Sequence, residues 1–390
     1  MLIFAAILAI FVYGMTAAML GTILPDLSER FRLTPAQNGA IAFAQALGLM
    51  LASLGVGPLL DTEGDKAGLV MGLAFIAAAL LALPRSRGFR SIAALLFVLG
   101  VGGGIVVTGA NALVSGVTPE HRATALNLVN LFFGLGGLAT PFLAANLFKS
   151  NGGGAGRPAA RPIVWVRLCL TVAGLASAAL VVQAVAPMPA APGASGFALA
   201  QAAPVLGRPL LFLLGLFLFL YVSCEVGVWN WLPRHLIAQG MPEPRALNIL
   251  SLGFALGLLI GRLAAGSVLL RVPAVEVTLA ASAAMAVTTF LMLRTNRAGT
   301  AWVLVFLAGL SMAPVFPTAL ALTGAAFPRM TGTAIGFVVT CGWAGLAVSS
   351  KVIGAIAGGD PRRLKKALLL IPASALLMVG LNLAMWSAVK

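Results

Sequence analysis

The sequence predicts an all-α polytopic membrane protein: twelve transmembrane helices in two pseudo-symmetric six-helix bundles. Three observations carry this. Of the 390 residues, 60% are hydrophobic and only 9% are charged, far outside the composition of water-soluble domains. Apolar runs long enough to cross a hydrocarbon core, about 20 residues for about 30 Å, recur along the whole chain, and almost none has the polar face of a soluble helix. The second half also repeats the first. Tyr13, Leu24 and Pro25 return as Tyr221, Leu232 and Pro233, and Gly134, Gly137, Leu138 and Ala139 return as Gly342, Gly345, Leu346 and Ala347, all at an offset of 208. A single match among Gly, Ala and Leu means little in such a chain, but one register held across separate helices argues for duplication.

In chain order, the first run extends from Met1 to Pro25, followed by a loop with Glu29, Arg30 and Arg32. The second covers 35–60 and ends in the charged turn Asp61-Thr62-Glu63-Gly64-Asp65-Lys66. The third ends near Pro84, and the fourth to sixth cover 91–117, 122–148 and 162–186. The stretch Ala186 to Pro204 is uncharged and rich in Pro, Ala and Gly, which reads as a linker. The remaining runs cover 209–232, 246–271, 273–293, 299–323, 331–356 and 367–389. The expected division is a bundle over 1–186, a linker over 187–207 and a bundle over 208–390.

Composition also limits function. Cys169, Cys224 and Cys341 all fall inside apolar runs, so neither a disulfide framework nor a metal site is expected. The formal charge of +15 is scattered through loops rather than blocked, which excludes a nucleic-acid-binding tail. Met1 opens directly into an apolar run without a basic region, and the run reads as a retained first helix rather than a cleaved leader. His121 and His235 lie at helix ends, which leaves no intramembrane His or Cys cluster for an enzyme. A polytopic membrane enzyme or receptor is the alternative of a different class.

Glu225 is the one carboxylate well inside an apolar run, and Tyr221, Trp229, Asn230 and Trp231 flank it. An acid at that depth is costly and marks a functional site by default. It can accept hydroxyl protons, hold Na⁺ as a hard oxygen ligand, or take up a proton. A structural ion pair is the competing reading. Lys351 is its candidate partner, because both residues lie about equally deep, 16 and 20 residues into helices of the same direction. Lys351 snorkelling to the interface is the alternative. Gln45, Asn111, Asn127, Asn130 and Asn230 add neutral donors and acceptors, and Trp229 and Trp343 add flat apolar faces. Amides of this kind also glue membrane helices together, and Trp231, beside Leu232 and Pro233, suits an interfacial belt.

The turn Gly57-Pro58-Leu59-Leu60-Asp61-Thr62-Glu63-Gly64-Asp65-Lys66 resembles the cytoplasmic G-x-L-a-D-r-x-G-r-k signature of the major facilitator superfamily. Gly57, Leu59, Asp61, Gly64 and Lys66 match, whereas Thr62 and Asp65 stand where basic residues are usual. The second half holds a decayed relative, Gly261-Arg262-Leu263 with Gly266 and Arg271, in which no Asp follows. The resemblance implies that Gly57, Asp61, Gly64, Lys66 and Arg262 form a conformational latch, with substrate bound between the two halves at mid-membrane.

More specifically, Phe219-Leu220-Tyr221-Val222 with Glu225-Val226-Gly227, Pro314-Val315-Phe316-Pro317-Thr318, and Asn127 or Asn130 with Phe133-Gly134-Leu135-Gly136 and Pro141 resemble the fucose–galactose–glucose/proton symporter family. That resemblance implies a secondary transporter for a hexose-like monosaccharide, a monomer in the inner membrane of a bacterium with its N-terminus in the cytoplasm. It implies no cofactor beyond a coupling ion, H⁺ or Na⁺, and no partners besides sugar and lipid. The chain departs from the family in lacking acids in mid-helix one and in helix four, where only Thr108 and Asn111 stand. Their proton coupling therefore does not carry over. A drug or organic-anion exporter of the same fold is the nearer alternative. The basic residues also fall on one side: Arg85, Arg87, Arg90, Lys149, Arg157, Arg161, Arg294, Arg297, Arg362 and Arg363 face outward when the Asp61 turn is cytoplasmic. This opposes the positive-inside tendency.

Overall fold

A computed structural model describes residues 1–147, 162–188, 204–295, 297–358 and 360–389. The chain is helical throughout the described residues, with twelve helices long and apolar enough to span a bilayer. They are α1 (Leu2–Phe31), α2 (Pro35–Glu63), α3 (Asp65–Arg85), α4 (Phe89–Val117), α5 (Arg122–Asn146) and α6 (Pro162–Val185). The second set is α7 (Pro209–Ala238), α8 (Glu243–Val268), α9 (Ala274–Arg294), α10 (Ala298–Ala326), α11 (Thr331–Ala357) and α12 (Leu370–Val389). Most of the expected linker 187–207, together with Lys149, Arg157 and Arg161, lies outside the described residues.

Two helices run further than their prolines suggested. α1 continues past Pro25 to Phe31 and α7 past Pro233 to Ala238. A proline removes only one backbone donor, and in a membrane helix neighbouring groups re-satisfy what it frees. At α10 two prolines do break the helix: it pauses between Met312 and Val315, beside Pro314. α8 contains a wider turn over Ile249–Phe254. Ahead of α12 stands a separate short helix, Pro361–Leu368, capped by Asp360, whose carboxylate accepts from the Arg362 amide at 2.8 Å.

By contacts the chain forms two compact units. The first comprises Met1–Val114, Phe132–Ala198 and Arg329–Gly336; the second comprises Ser115–Leu131, Leu199–Pro328 and Phe337–Lys390. In the first, α6 packs against α1 and α3, and α2 against α3. In the second, α12 packs against α7 and α9, and α10 against α8 and α9.

The duplication is visible in how helices touch. A Cβ on Gly48 would meet the Phe97 carbonyl and one on Gly100 the Gln45 carbonyl, locking α2 to α4. In the second unit a Cβ on Gly257 would meet the Phe306 carbonyl and one on Gly309 the Phe254 carbonyl, locking α8 to α10. These pairs correspond at an offset of 209. Gly136 against the Phe11 carbonyl likewise corresponds to Gly345 against the Phe219 carbonyl. The register of 208 therefore holds for α1 and α7, and Gly345 pairs structurally with Gly136 rather than Gly137. Backbone-to-backbone approach of this kind replaces the hydrophobic effect, which is absent between helices in lipid.

Gly309→Val would drive a side chain into the Phe254 carbonyl, whereas Gly299 has open space around it. We expect Gly309→Val to lower the thermal unfolding midpoint of the detergent-solubilised protein by several degrees, from about 1–3 kcal/mol of overpacking. Gly299→Val should leave the midpoint unchanged.

Candidate functional site

The turn between α2 and α3 caps two other helices of its unit. α2 ends at Glu63, and Gly64 takes φ 87°, a conformation that side chains with a Cβ rarely adopt. The reversal leaves Asp61 facing the start of α11. Its carboxylate accepts from the Gly332 and Thr333 amides, both at 2.8 Å, and from the Thr333 hydroxyl at 2.6 Å. Those amides are helix N-terminal donors with no intrahelical partner, and the helix dipole favours an anion there. The approach depends on glycine on both sides. A Cβ on Gly57 would lie 2.6 Å from Thr333 Cα, and one on Gly332 would lie 2.8 Å from the Gly57 carbonyl oxygen. Two residues past Gly64, Lys66 Nζ donates to the Ala186 carbonyl at 3.2 Å, just past the end of α6. One turn thus sets an anion on a helix N-terminus and a cation on a helix C-terminus.

The second unit gathers a different polar set from α5, α7, α8 and α10. Asn127 Nδ2 donates to the Thr318 hydroxyl at 3.0 Å and to the Ala123 carbonyl at 2.9 Å, which leaves its buried Oδ1 without a partner. Asn130 Nδ2 donates to the Leu126 carbonyl at 2.9 Å, while its own carbonyl accepts from Arg262 Nη1 at 2.8 Å. Among the described residues Arg262 is the one Lys, Arg, Asp or Glu that is buried, at 6% exposure. Tyr221 is fully buried, its ring centroid 6.5 Å from that of Phe316, and its hydroxyl has no hydrogen-bond partner within 3.5 Å. The charges of Glu225, one helical turn along α7, and of Arg262 reach that hydroxyl. Glu225 itself is half-buried.

The other residues singled out in the sequence are spread more widely. Asn111 is fully buried on α4 and donates to the Val107 carbonyl at 2.7 Å. Gln45 and Trp343 are half-buried. Trp229 packs edge-on against Phe254, centroids 5.3 Å apart. Asn230 is exposed and donates to the Ser350 hydroxyl at 3.1 Å. No ion pair joins Glu225 to Lys351, which is exposed. Helix geometry explains this. Ser223, bonded to the Gly345 carbonyl at 3.2 Å, and Asn230 mark the side of α7 that faces α11. Glu225, two residues past Ser223, is turned about 200° away from that side.

The family model of the Major Facilitator Superfamily matches residues 6–350. The chain belongs to that superfamily. The superfamily fold is also evident in a crystal structure of a variant of the E. coli fucose:proton symporter FucP, which superimposes with a TM-score of 0.85 over 97% of each chain at 18% identity. Among curated relatives, the 4-hydroxybenzoate transporter PcaK of Pseudomonas aeruginosa is 32% identical over 147 residues, 37% of this chain and 33% of that protein. The chain thus matches about a third of that relative's length. The protein TsgA homolog of Erwinia tasmaniensis is 24% identical over 356 residues, 90% of this chain and 86% of that one.

For a superfamily transporter, the sequence left two groups of residues unassigned. Gly332 and Thr333 receive the Asp61 carboxylate, yet they stand 271 and 272 positions away in the chain, and no local pattern marks them. Arg262, grouped by sequence with the turn signature, lies a turn deeper than the structural counterpart of Gly57. That counterpart is Gly266, at the shared offset of 209, and Leu270 stands opposite Asp61. The duplication register, carried one residue further, would have shown this.

Asp61→Asn keeps one acceptor but turns an amide donor toward the α11 amides. Losing charged hydrogen bonds of about 1.5–3 kcal/mol each, the Gly332–Thr333 backbone should exchange deuterium about tenfold to hundredfold faster, read by mass spectrometry of peptides from the start of α11.

Proposed function

We propose that this superfamily transporter moves a hexose-like monosaccharide across the membrane by alternating access, coupled to H⁺ or Na⁺. The observation that carries the reading is the buried, unsatisfied Asn127 Oδ1 in the second unit, together with the buried Tyr221 hydroxyl, whose polar neighbour is Glu225. A buried polar atom without a partner costs about 1–3 kcal/mol, and a polyhydroxylated ligand supplies both donors and acceptors. Glu225 adds a carboxylate able to accept two sugar hydroxyls, and the half-buried Phe316 adds an apolar surface for a pyranose C–H face. The same carboxylate is the group we assign to the coupling ion, because the first half has Ala17 at the corresponding position. The Asp61 contact to α11 is the element we assign as the latch that substrate must release, since binding shifts such an equilibrium only through differential affinity. The membrane side of the N-terminus follows from that assignment as cytoplasmic.

One observation favours a second substrate class. Arg262 is a buried cation among these groups, and a guanidinium suits a carboxylate; the relative named as a 4-hydroxybenzoate transporter agrees with such a ligand. The organic acid is therefore the reading against which the sugar is tested.

The experiment is counterflow in proteoliposomes loaded with a panel of hexoses or with 4-hydroxybenzoate, under imposed H⁺ or Na⁺ gradients. We expect saturable, stereoselective hexose counterflow, an effect of one cation gradient, and at least about a tenfold loss of uptake in Glu225→Gln, the equivalent of one charged hydrogen bond. Asn127→Ala should raise KM with kcat less affected. Uptake of the acid without competition by any hexose, abolished by Arg262→Gln, would replace the sugar with the acid.

A further inference from the structure

We infer that the short helix Pro361–Leu368, with Arg234 and Arg294 beside it, is a docking surface for the phosphate headgroups of anionic glycerophospholipids. The helix joins α11 to α12, so it stands between two consecutive membrane spans. Its sequence separates two faces. Leu364, Ala367 and Leu368 are buried, at 6%, 1% and 1% exposure, and the helix packs against α7. Arg362, Arg363, Lys365 and Lys366 are all exposed. Spacings of three and four residues create this division, the pattern of a helix lying flat in an interface with its cations turned to the headgroups.

The neighbouring elements add to the same field. Arg234, exposed in the last turns of α7, lies over the Trp231 ring at 5.2 Å, with its charge anchored at the helix end. α9 and α12 run antiparallel, as the 2.7 Å hydrogen bond from Thr278 near the start of α9 to Asn382 near the end of α12 shows. Arg294, at the far end of α9, therefore falls level with the short helix, its guanidinium 4.8 Å from the Phe290 ring centre. Within Asp360–Leu368 the one acid is Asp360, already engaged by the Arg362 amide and 3.8 Å from Arg363 Nε. Four cations thus stand against one acid within this segment, with Arg234 and Arg294 adding to them from α7 and α9. Juxtamembrane clusters of four to eight Lys and Arg recognise anionic lipid by this means, within a Debye length of about 8 Å at physiological salt. The aromatic rings under Arg234 and Arg294 suit the same boundary, where amphipathic rings sit at headgroup level.

The test uses the full-length protein in detergent, titrated with phosphatidylglycerol, phosphatidylcholine or inorganic phosphate, with retained lipid counted by native mass spectrometry. The wild type should retain phosphatidylglycerol over phosphatidylcholine, and the preference should weaken with salt. Changing Arg362, Arg363, Lys365 and Lys366 together to Gln should reduce the preference at least about tenfold. A variant exchanging each Arg for Lys and each Lys for Arg should keep it, which separates charge from damage to the fold. Arg85→Gln/Arg87→Gln/Arg90→Gln, altered in the other unit, should also keep it. The inference is overturned by equal phosphatidylglycerol retention in the Gln variant, by equal retention of phosphatidylcholine in the wild type, by displacement of lipid with equimolar inorganic phosphate, or by loss of preference in the Arg85/Arg87/Arg90 variant alone.

Discussion

The constraint on which this structure depends is that no water is available in a hydrocarbon core to satisfy a backbone or side-chain polar group. Helices answer it for their own interiors, and only their ends and their few polar side chains remain. Asp61 and Lys66 close two of those ends, at α11 and α6. Asn382 shows how a side chain is absorbed without function: fully buried, it bonds to Thr278, Ser282 and the Met378 carbonyl and fixes α12 to α9. Against that standard the buried Asn127 Oδ1 stands out, since no described group donates to it.

Duplication supplied the scaffold, and divergence between its copies supplied the chemistry. Glycine-to-carbonyl contacts recur at corresponding places in α2/α4 and α8/α10, so the close helix approach is common to both halves. Three ionisable groups do not recur. Asp61 corresponds to Leu270, Glu225 to Ala17, and Arg262 to Ser53. Ser53 donates to the Gly104 carbonyl at 3.4 Å, whereas Arg262 reaches the backbone of Asn130 on another helix. One copy therefore holds the Asp61 carboxylate and the other holds the buried Arg262 and the Glu225 carboxylate. A transporter that rocks one repeat against another around a fixed site needs such asymmetry if the two steps are to differ in energy.

Much of the architecture was legible because membrane helices are written in length and composition. Every span was found, and the errors fell at Pro25 and Pro233, where a residue that ends helices in water is tolerated in lipid. The wider turn at Ile249–Phe254 has no residue type peculiar to it and left no trace in the sequence. Asp61 was legible as an anion for a helix N-terminus, but its partner was not, since α11 begins some 270 residues on. The Glu225–Lys351 pairing shows the limit most plainly. Depth along a helix can be counted in residues, and the two depths agree. Direction around the helix needs a second contact to fix it, and Ser223 and Asn230 provide that contact only in three dimensions.

The Asp61 contact also shows what a helix terminus offers an anion. A carboxylate on free amides forms charge-assisted hydrogen bonds without consuming any bond internal to α11. The contact can therefore open without unravelling the helix, and water or another acceptor can replace the carboxylate at the exposed edge of the turn. Deeper in the membrane the same carboxylate would have no substitute partner, and release would leave an unpaired charge. The half-buried position of Asp61, beside a glycine at 57 that lets two backbones meet, thus joins a charge-assisted contact to a helix end that keeps all its own hydrogen bonds.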